Sequence, residues 1–168
     1  MKNRPKRNNL EKEQARDPAW QQLATHEAAH VVGYYAFGRI IFHVALTSDN
    51  GGWVRPVLGD ENIVYKIRQN MVVAACGSMA EKIICGDDNA EPTGKDLADL
   101  QAAAIRIHGM MAPKEVIDDE VQTAVAKAIV LIQRYREAIE KIADSLLSVV
   151  DEIESVTPDI FGKESPLS

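Results

Sequence analysis

Apolar residues between Ala19 and Phe37 recur at three- and four-residue steps, which predicts one helix. Asp17-Pro18 stands at its start: the aspartate can cap the first amides, and the proline's missing N–H is not needed there. Gly38 stands at its end. Over Ile40–Thr47 the period changes, and a run of branched and aromatic residues predicts a strand. Ser48-Asp49-Asn50-Gly51-Gly52 is a turn signal, and Trp53-Val54-Arg55 fits a short return or edge strand. Residues 61–86 read as a second helix started by Asp60, followed by a loop over residues 86–94. A third helix runs to about His108, capped by Asp96 or Thr93 and ended by Gly109. After Pro113, a long segment from about Asp118 to Val150 puts Val121, Val125, Ala128, Ile132, Tyr135, Ile139, Ile142, Leu146 and Val149 on one face. Its length leaves room for a break near Arg136. The predicted class is mainly α, with a small two- or three-stranded β element after the first helix and a C-terminal helical bundle.

A length of 168 residues suits one domain. Residues 1–17 are polar and basic and read as a disordered leader. Residues 18–168 form the domain, with the chemistry in 18–112 and the C-terminal helices in 113–163. Aromatic residues make up 5% of the chain, so the core must be built mainly from Ala, Val, Ile and Leu. The net charge of −6 hides an asymmetry: Lys2, Arg4, Lys6 and Arg7 fall in the first nine residues, leaving 15 basic against 25 acidic residues beyond those nine. That balance excludes a nucleic-acid or anionic-membrane surface on the domain. No apolar run approaches the roughly 20 residues needed to cross a bilayer, and no apolar stretch follows the basic leader as in a signal peptide. The expected location is cytoplasmic. Cys76 and Cys85 lie in apolar surroundings and are expected to be buried free thiols.

The chemistry concentrates in His26-Glu27-Ala28-Ala29-His30. On a helix, residues four apart differ by only about 40° in direction, so both imidazoles project from one face, one turn apart. Two neutral imidazoles so placed can share one Zn2+ ion, and Glu27 beside them can take a proton from a water acidified by the metal. A zinc site needs a third protein ligand from elsewhere. His43 and His108 are one class of candidate; Glu81 and the acids from Glu91 to Asp99 are another. Glu81 can be a helix-surface acid or the acceptor that fixes the tautomer of an imidazole ligand.

Thr25-His-Glu-Ala-Ala-His-Val-Val-Gly resembles the zinc helix in the peptidase domain of FtsH-type, AAA-coupled metalloproteases. The likeness continues in order along residues 19–163. Asn50-Gly-Gly-Trp is similar to the glycine pair before that family's substrate-side strand. Ala75-Cys-Gly-Ser-Met-Ala-Glu-Lys-Ile-Ile-Cys-Gly-Asp looks like its Gly-Arg-Ala-Ala-Glu-Glu helix through Gly77, Ala80, Glu81 and Gly86. Thr93-Gly94 followed by Asp99-Leu100-x-x-Ala103 resembles the segment that supplies the third ligand. The resemblance implies a zincin-like fold with His26 and His30 as ligands and Glu27 as general base. It puts Gly51, Gly52 and Trp53 on the substrate side. It implies an aspartate as third ligand: Asp99 is favoured by its Leu-x-x-Ala context, with Asp96 as the alternative and otherwise a helix cap. One departure is Ala29, where the family has glycine; it removes no reactive group.

The implied function is a zinc-dependent endopeptidase acting on unfolded or accessible polypeptide. The phosphate-binding pattern Gly-x-x-x-x-Gly-Lys-Ser/Thr does not occur in the chain, so ATP-independent action is expected. Substrate would arrive unaided or through a separate ATPase or other delivery partner. An alternative is a non-catalytic zinc-binding adaptor or regulator with the peptidase fold; an all-helical interaction module without metal is a third. The apolar face of the C-terminal helices can bury against the chain's own core or against a second copy, which leaves a homo-oligomer open.

Overall fold

The computed structural model describes residues 17–47, 51–56 and 63–148. Helix α1 spans Pro18–Ala36, and it starts as its sequence dictates: Asp17 accepts a hydrogen bond from the Ala19 amide at 2.9 Å, with Pro18 in the first turn. Gly38 takes a left-handed φ of 69°, which lets the chain turn out of the helix toward the strands. Strands β1 (Ile41–Leu46) and β2 (Gly52–Pro56) form an antiparallel pair, with Ala45 opposite Trp53 and Val44 opposite Val54. The hairpin is closed by Thr47, whose amide donates to the Gly51 carbonyl at 2.7 Å. The expected turn residues 48–50, the leader, the Asp60 cap and Val149 lie outside the described residues.

Helix α2 spans Val64–Ala80. From Met71 to Ala80 it carries no charged residue and is buried at every position but Ala74, as a helix enclosed on most sides must be. Its end widens into a π-helical turn over Glu81–Cys85, closed by Gly86 at φ 74°. Helix α3 (Gly94–His108) is ended by Gly109, as expected; of the two expected caps Thr93 holds the N-cap position, without a side-chain hydrogen bond, and Asp96 lies inside the first turn. Helix α4 (Lys114–Arg134) begins four residues earlier than the apolar pattern suggested, directly after Pro113, which is preset for a helix start. The break foreseen near Arg136 falls at Tyr135, and α5 follows over Arg136–Ser148.

The class is mainly α with one small two-stranded sheet. The C-terminal helices pack mainly against the N-terminal ones rather than against each other: α4 lies on α2 and α3, and α5 on α1. One continuous core results, joining Ala24, Ala28 and Val32 of α1 with Met71, Leu100, Ile132, Ile139 and Leu146. A 13-residue helix alone is marginal in water, so α5 owes its helicity to this contact. Each of its large buried side chains contributes about 1.5–3 kcal/mol by leaving water. Cys76 is buried, whereas Cys85 is half-buried at the end of the π-turn, so the expectation of two buried thiols holds for the first alone; both are free. Among the described residues no helix is long and apolar enough to cross a membrane.

Candidate metal centre

Helix α1 presents His26 and His30 from consecutive turns, their rings edge-to-face with centroids 4.7 Å apart. Helix α2 crosses beneath them. Gly77 lies where a Cβ atom would overlap the His26 ring, so only glycine admits the imidazole at this depth. Helix α3 brings up Asp96 in its first turn, where a carboxylate is also favoured by the helix dipole. The result is one group of potential ligand atoms from His26, His30 and Asp96, all within 4.8 Å of one another.

Two observations test whether a zinc ion fits. His26 Nε2 and Asp96 Oδ2 are 3.4 Å apart. Zinc bonds of 2.0–2.1 Å in a tetrahedron require ligand atoms separated by roughly 3.3–3.4 Å. The second observation is the orientation of the rings. His30 Nδ1 lies 2.8 Å from the Val73 carbonyl, which can only accept, so Nδ1 carries the proton and Nε2 keeps its lone pair for the group. His26 Nδ1 donates likewise to Glu81 Oε1 at 2.6 Å. These are the contacts that fix imidazoles as metal ligands. Glu81 is the first residue of the π-turn, a backbone irregularity frequent at functional sites.

The electrostatics favour a cation. Burial works to lower the His26 pKa, but its interactions with Asp96 and Glu81 overcome that and raise it to about 10. Burial, aided by the neighbouring His26 charge, pushes His30 down to about 4. Asp96 is held below the usual carboxylate range; burial opposes this, and the two histidines and Ser78 outweigh it. A cluster that retains a proton on His26 so firmly offers the same field to a metal ion.

Glu27 is 5% exposed, and its Oε2 has no hydrogen-bond partner in the protein. An unpartnered buried carboxylate oxygen is costly and calls for something polar in the adjoining space. Burial pushes this carboxyl up to about 7, against the pull of His26, which suits proton transfer near neutral pH. Glu27 opens into a cleft of about 530 Å³ shared with His26, His30, Asp96, Gly52 and Trp53. Gly52 is required to be small: a Cβ there would stand 2.5 Å from Glu27 Cγ.

The sequence-derived candidates separate here. His26, Glu27, His30 and Glu81 converge. The favoured third ligand does not: Asp99 lies one turn beyond Asp96, 59% exposed, with Lys95 at 3.9 Å, and it lines the cleft without joining the ligand group. The aspartate placed with the histidines is Asp96, because the docking of α3 turns its first turn, and not its second, onto the imidazoles. Gly52 and Trp53 line the cleft, whereas Gly51 closes the hairpin instead. His43 stacks on Trp53 at 4.5 Å and His108 binds Glu120; neither joins the metal group. Sequence reasoning missed the Val73 carbonyl, which no side-chain pattern reveals. It also missed Ser78, whose one signal is a hydroxyl inside an apolar run.

Comparison with family models of known proteins finds no match for this chain, and no curated protein matches it.

Proposed function

We propose that the protein is a zinc-dependent endopeptidase with a zincin-like, FtsH-type peptidase domain. The observation that carries this is the conjunction of His26, His30 and Asp96 with a buried Glu27 whose Oε2 has no protein partner. His26 and His30 through Nε2, and Asp96 through a carboxylate oxygen, would hold the ion. Zinc so bound supplies Lewis acidity toward a scissile carbonyl and lowers the pKa of water beside it. Glu27 then acts as general base, taking the proton of the attacking water on Oε2 and passing it to the leaving amine. Glu27 follows His26 on α1 and lines the same cleft as the ligands.

Gly52, Trp53 and Val54 of β2 run along the same cleft, so an extended polypeptide can lie beside this strand and bond through its backbone, with little demand on sequence. Such recognition suits unfolded or otherwise accessible polypeptide, arriving unaided or from a separate ATPase. Two free cysteines suit a reducing compartment such as the cytoplasm.

The test is digestion of an unfolded protein such as casein by the purified chain, with and without chelator, alongside elemental zinc analysis. Glu27→Gln is expected to retain zinc and lose hydrolysis by about 10²–10⁴-fold. Full hydrolysis by Glu27→Gln overturns the assignment of the base. A parent chain that binds zinc and cleaves nothing favours the adaptor reading, and a chain that binds no zinc removes the metal from the function altogether.

A further inference from the structure

The two helices that carry the candidate ligands, α1 and α3, are both oriented by a third. Helix α2 accepts the His30 N–H at the Val73 carbonyl, admits the His26 ring at Gly77, and continues into Glu81, which accepts the His26 Nδ1–H. Between these points stands Ser78, 5% exposed among Cys76, Met79 and Ala80. Its Oγ donates to Asp96 Oδ2 at 3.4 Å, and this is the same carboxylate oxygen that faces His26 Nε2. We propose that Ser78 is a positioning residue of the metal centre, whose hydroxyl holds Asp96 with Oδ2 turned toward the histidines. The proposal rests on the zinc reading above and extends it to the residue that orients the third ligand.

Comparison with other helical hydroxyls in the same protein supports it. Thr25, 1% exposed on α1, donates back to the Gln21 carbonyl at 2.8 Å, and Ser145 on α5 donates to Lys141 at the same distance. This is the usual local solution for a hydroxyl inside a helix, because the carbonyl four residues earlier lies within reach. Ser78 points across to a different helix instead. A hydroxyl buried among apolar side chains is costly without a partner, and the one it takes is the acid that the histidines also face. Asp96 needs such a hold. It enters from α3, a separate element, and its side chain can rotate about two bonds, whereas His26 and His30 are tied at both their helix and their Nδ1 atoms. With Ser78 included, each of the three ligands has a contact on α2, so one rigid helix sets the spacing of groups borne by two others. At 3.4 Å the bond is long, so its effect belongs at the lower end of the 10–100-fold range found for groups that orient metal ligands.

The experiment compares the parent chain with Ser78→Ala and Ser78→Thr. It measures the zinc Kd by competition with a chromophoric chelator, the visible spectrum of the cobalt(II)-loaded protein, and the melting temperature of the zinc-free protein. Ser78→Ala is expected to weaken zinc binding about tenfold and to shift the cobalt bands, with the zinc-free melting temperature within about 2 °C of the parent. Ser78→Thr keeps the hydroxyl and is expected to stay within about threefold of the parent Kd. A Kd in Ser78→Ala within twofold of the parent overturns the proposal. So does equal weakening in both variants accompanied by equal loss of zinc-free stability, since that marks a packing effect. A parent chain that takes up neither metal overturns the zinc reading itself, and the Ser78 proposal with it; the two failures are thereby distinguished.

Discussion

Histidine meets carboxylate at both ends of α3. At its start, Asp96 faces His26 and His30; at its end, His108 Nε2 lies 2.7 Å from Glu120 Oε2. The second cluster includes Arg68, whose guanidinium donates twice to Glu120, from Nε at 2.7 Å and from Nη2 at 2.9 Å. That fixed cation pulls Glu120 down to about 2, with His108 adding to it. Its carboxylate charge is answered within the protein, and its oxygens are occupied by a planar fork that matches them. At the other end the carboxylates meet imidazoles, and Lys95 and Arg106 line the cleft beside them. Asp96, Glu81 and Glu27 converge on two imidazoles; burial works against a proton on His26, but Asp96 and Glu81 hold it there, up to a pKa of about 10. The same residue types thus make an ion-pair clasp where a guanidinium forks the carboxylate, and a group that could hold a metal ion where two imidazoles face it.

The sharpest way to break this comparison is to remove the carboxylates one at a time. Asp96→Asn is expected to weaken zinc binding by at least about a hundredfold, while Asp99→Asn stays within about threefold of the parent. The reverse order, measured as zinc content after dialysis against chelator, would mean that α3 docks one turn away from where it stands here.

A smaller effect follows from the proton. The His26 pKa is raised to about 10 and the His30 pKa lowered to about 4, so between pH 6 and 8 the group carries a proton on His26 that zinc must displace. Proton and metal compete, and the apparent zinc affinity should fall as pH falls, by about tenfold per pH unit. A flat profile over that range would remove the electrostatic half of the comparison.

The smallest effect is expected at the clasp. Glu120→Gln leaves Arg68 at a half-exposed surface position, so the cost should be at most about 1 kcal/mol, read as a fall of a few degrees in Tm. Because the folded pKa of Glu120 lies below its ordinary value of 4.5, the stabilisation is present above that pH. It disappears as pH falls toward 2, and the parent and variant melting curves should converge there. Zinc affinity should not change; if it does, the two ends of α3 are coupled.

Much of the fold was legible along the chain. Asp17-Pro18 and Gly38 delimit α1, the run from Ile40 announces β1, and Gly109 closes α3, each through interactions within a few residues. The break at Tyr135 was legible to within one residue. The β-hairpin register was not, because pairing of Ala45 with Trp53 depends on a turn whose geometry the residue types leave open.

In the candidate site, the division runs along the same line. His26, Glu27 and His30 are set by sequence alone, since a four-residue step on one helix places both rings on one face whatever surrounds them. Asp96 and Asp99 also share a helix face, three residues apart, and nothing local distinguishes them. Their difference arises when α3 docks with Leu100 and Ala104 turned into the core, which leaves Asp96 facing Ser78 and His26 and Asp99 beside Lys95, largely exposed. The Val73 carbonyl and the glycine clearance at Gly77 belong to the same class of fact. The sequence by itself determined the pair of histidines and their acid, because helical periodicity is a local property. Tertiary packing decided which carboxylate completes the group and what holds it, because those contacts join residues separated along the chain by 18 or more positions.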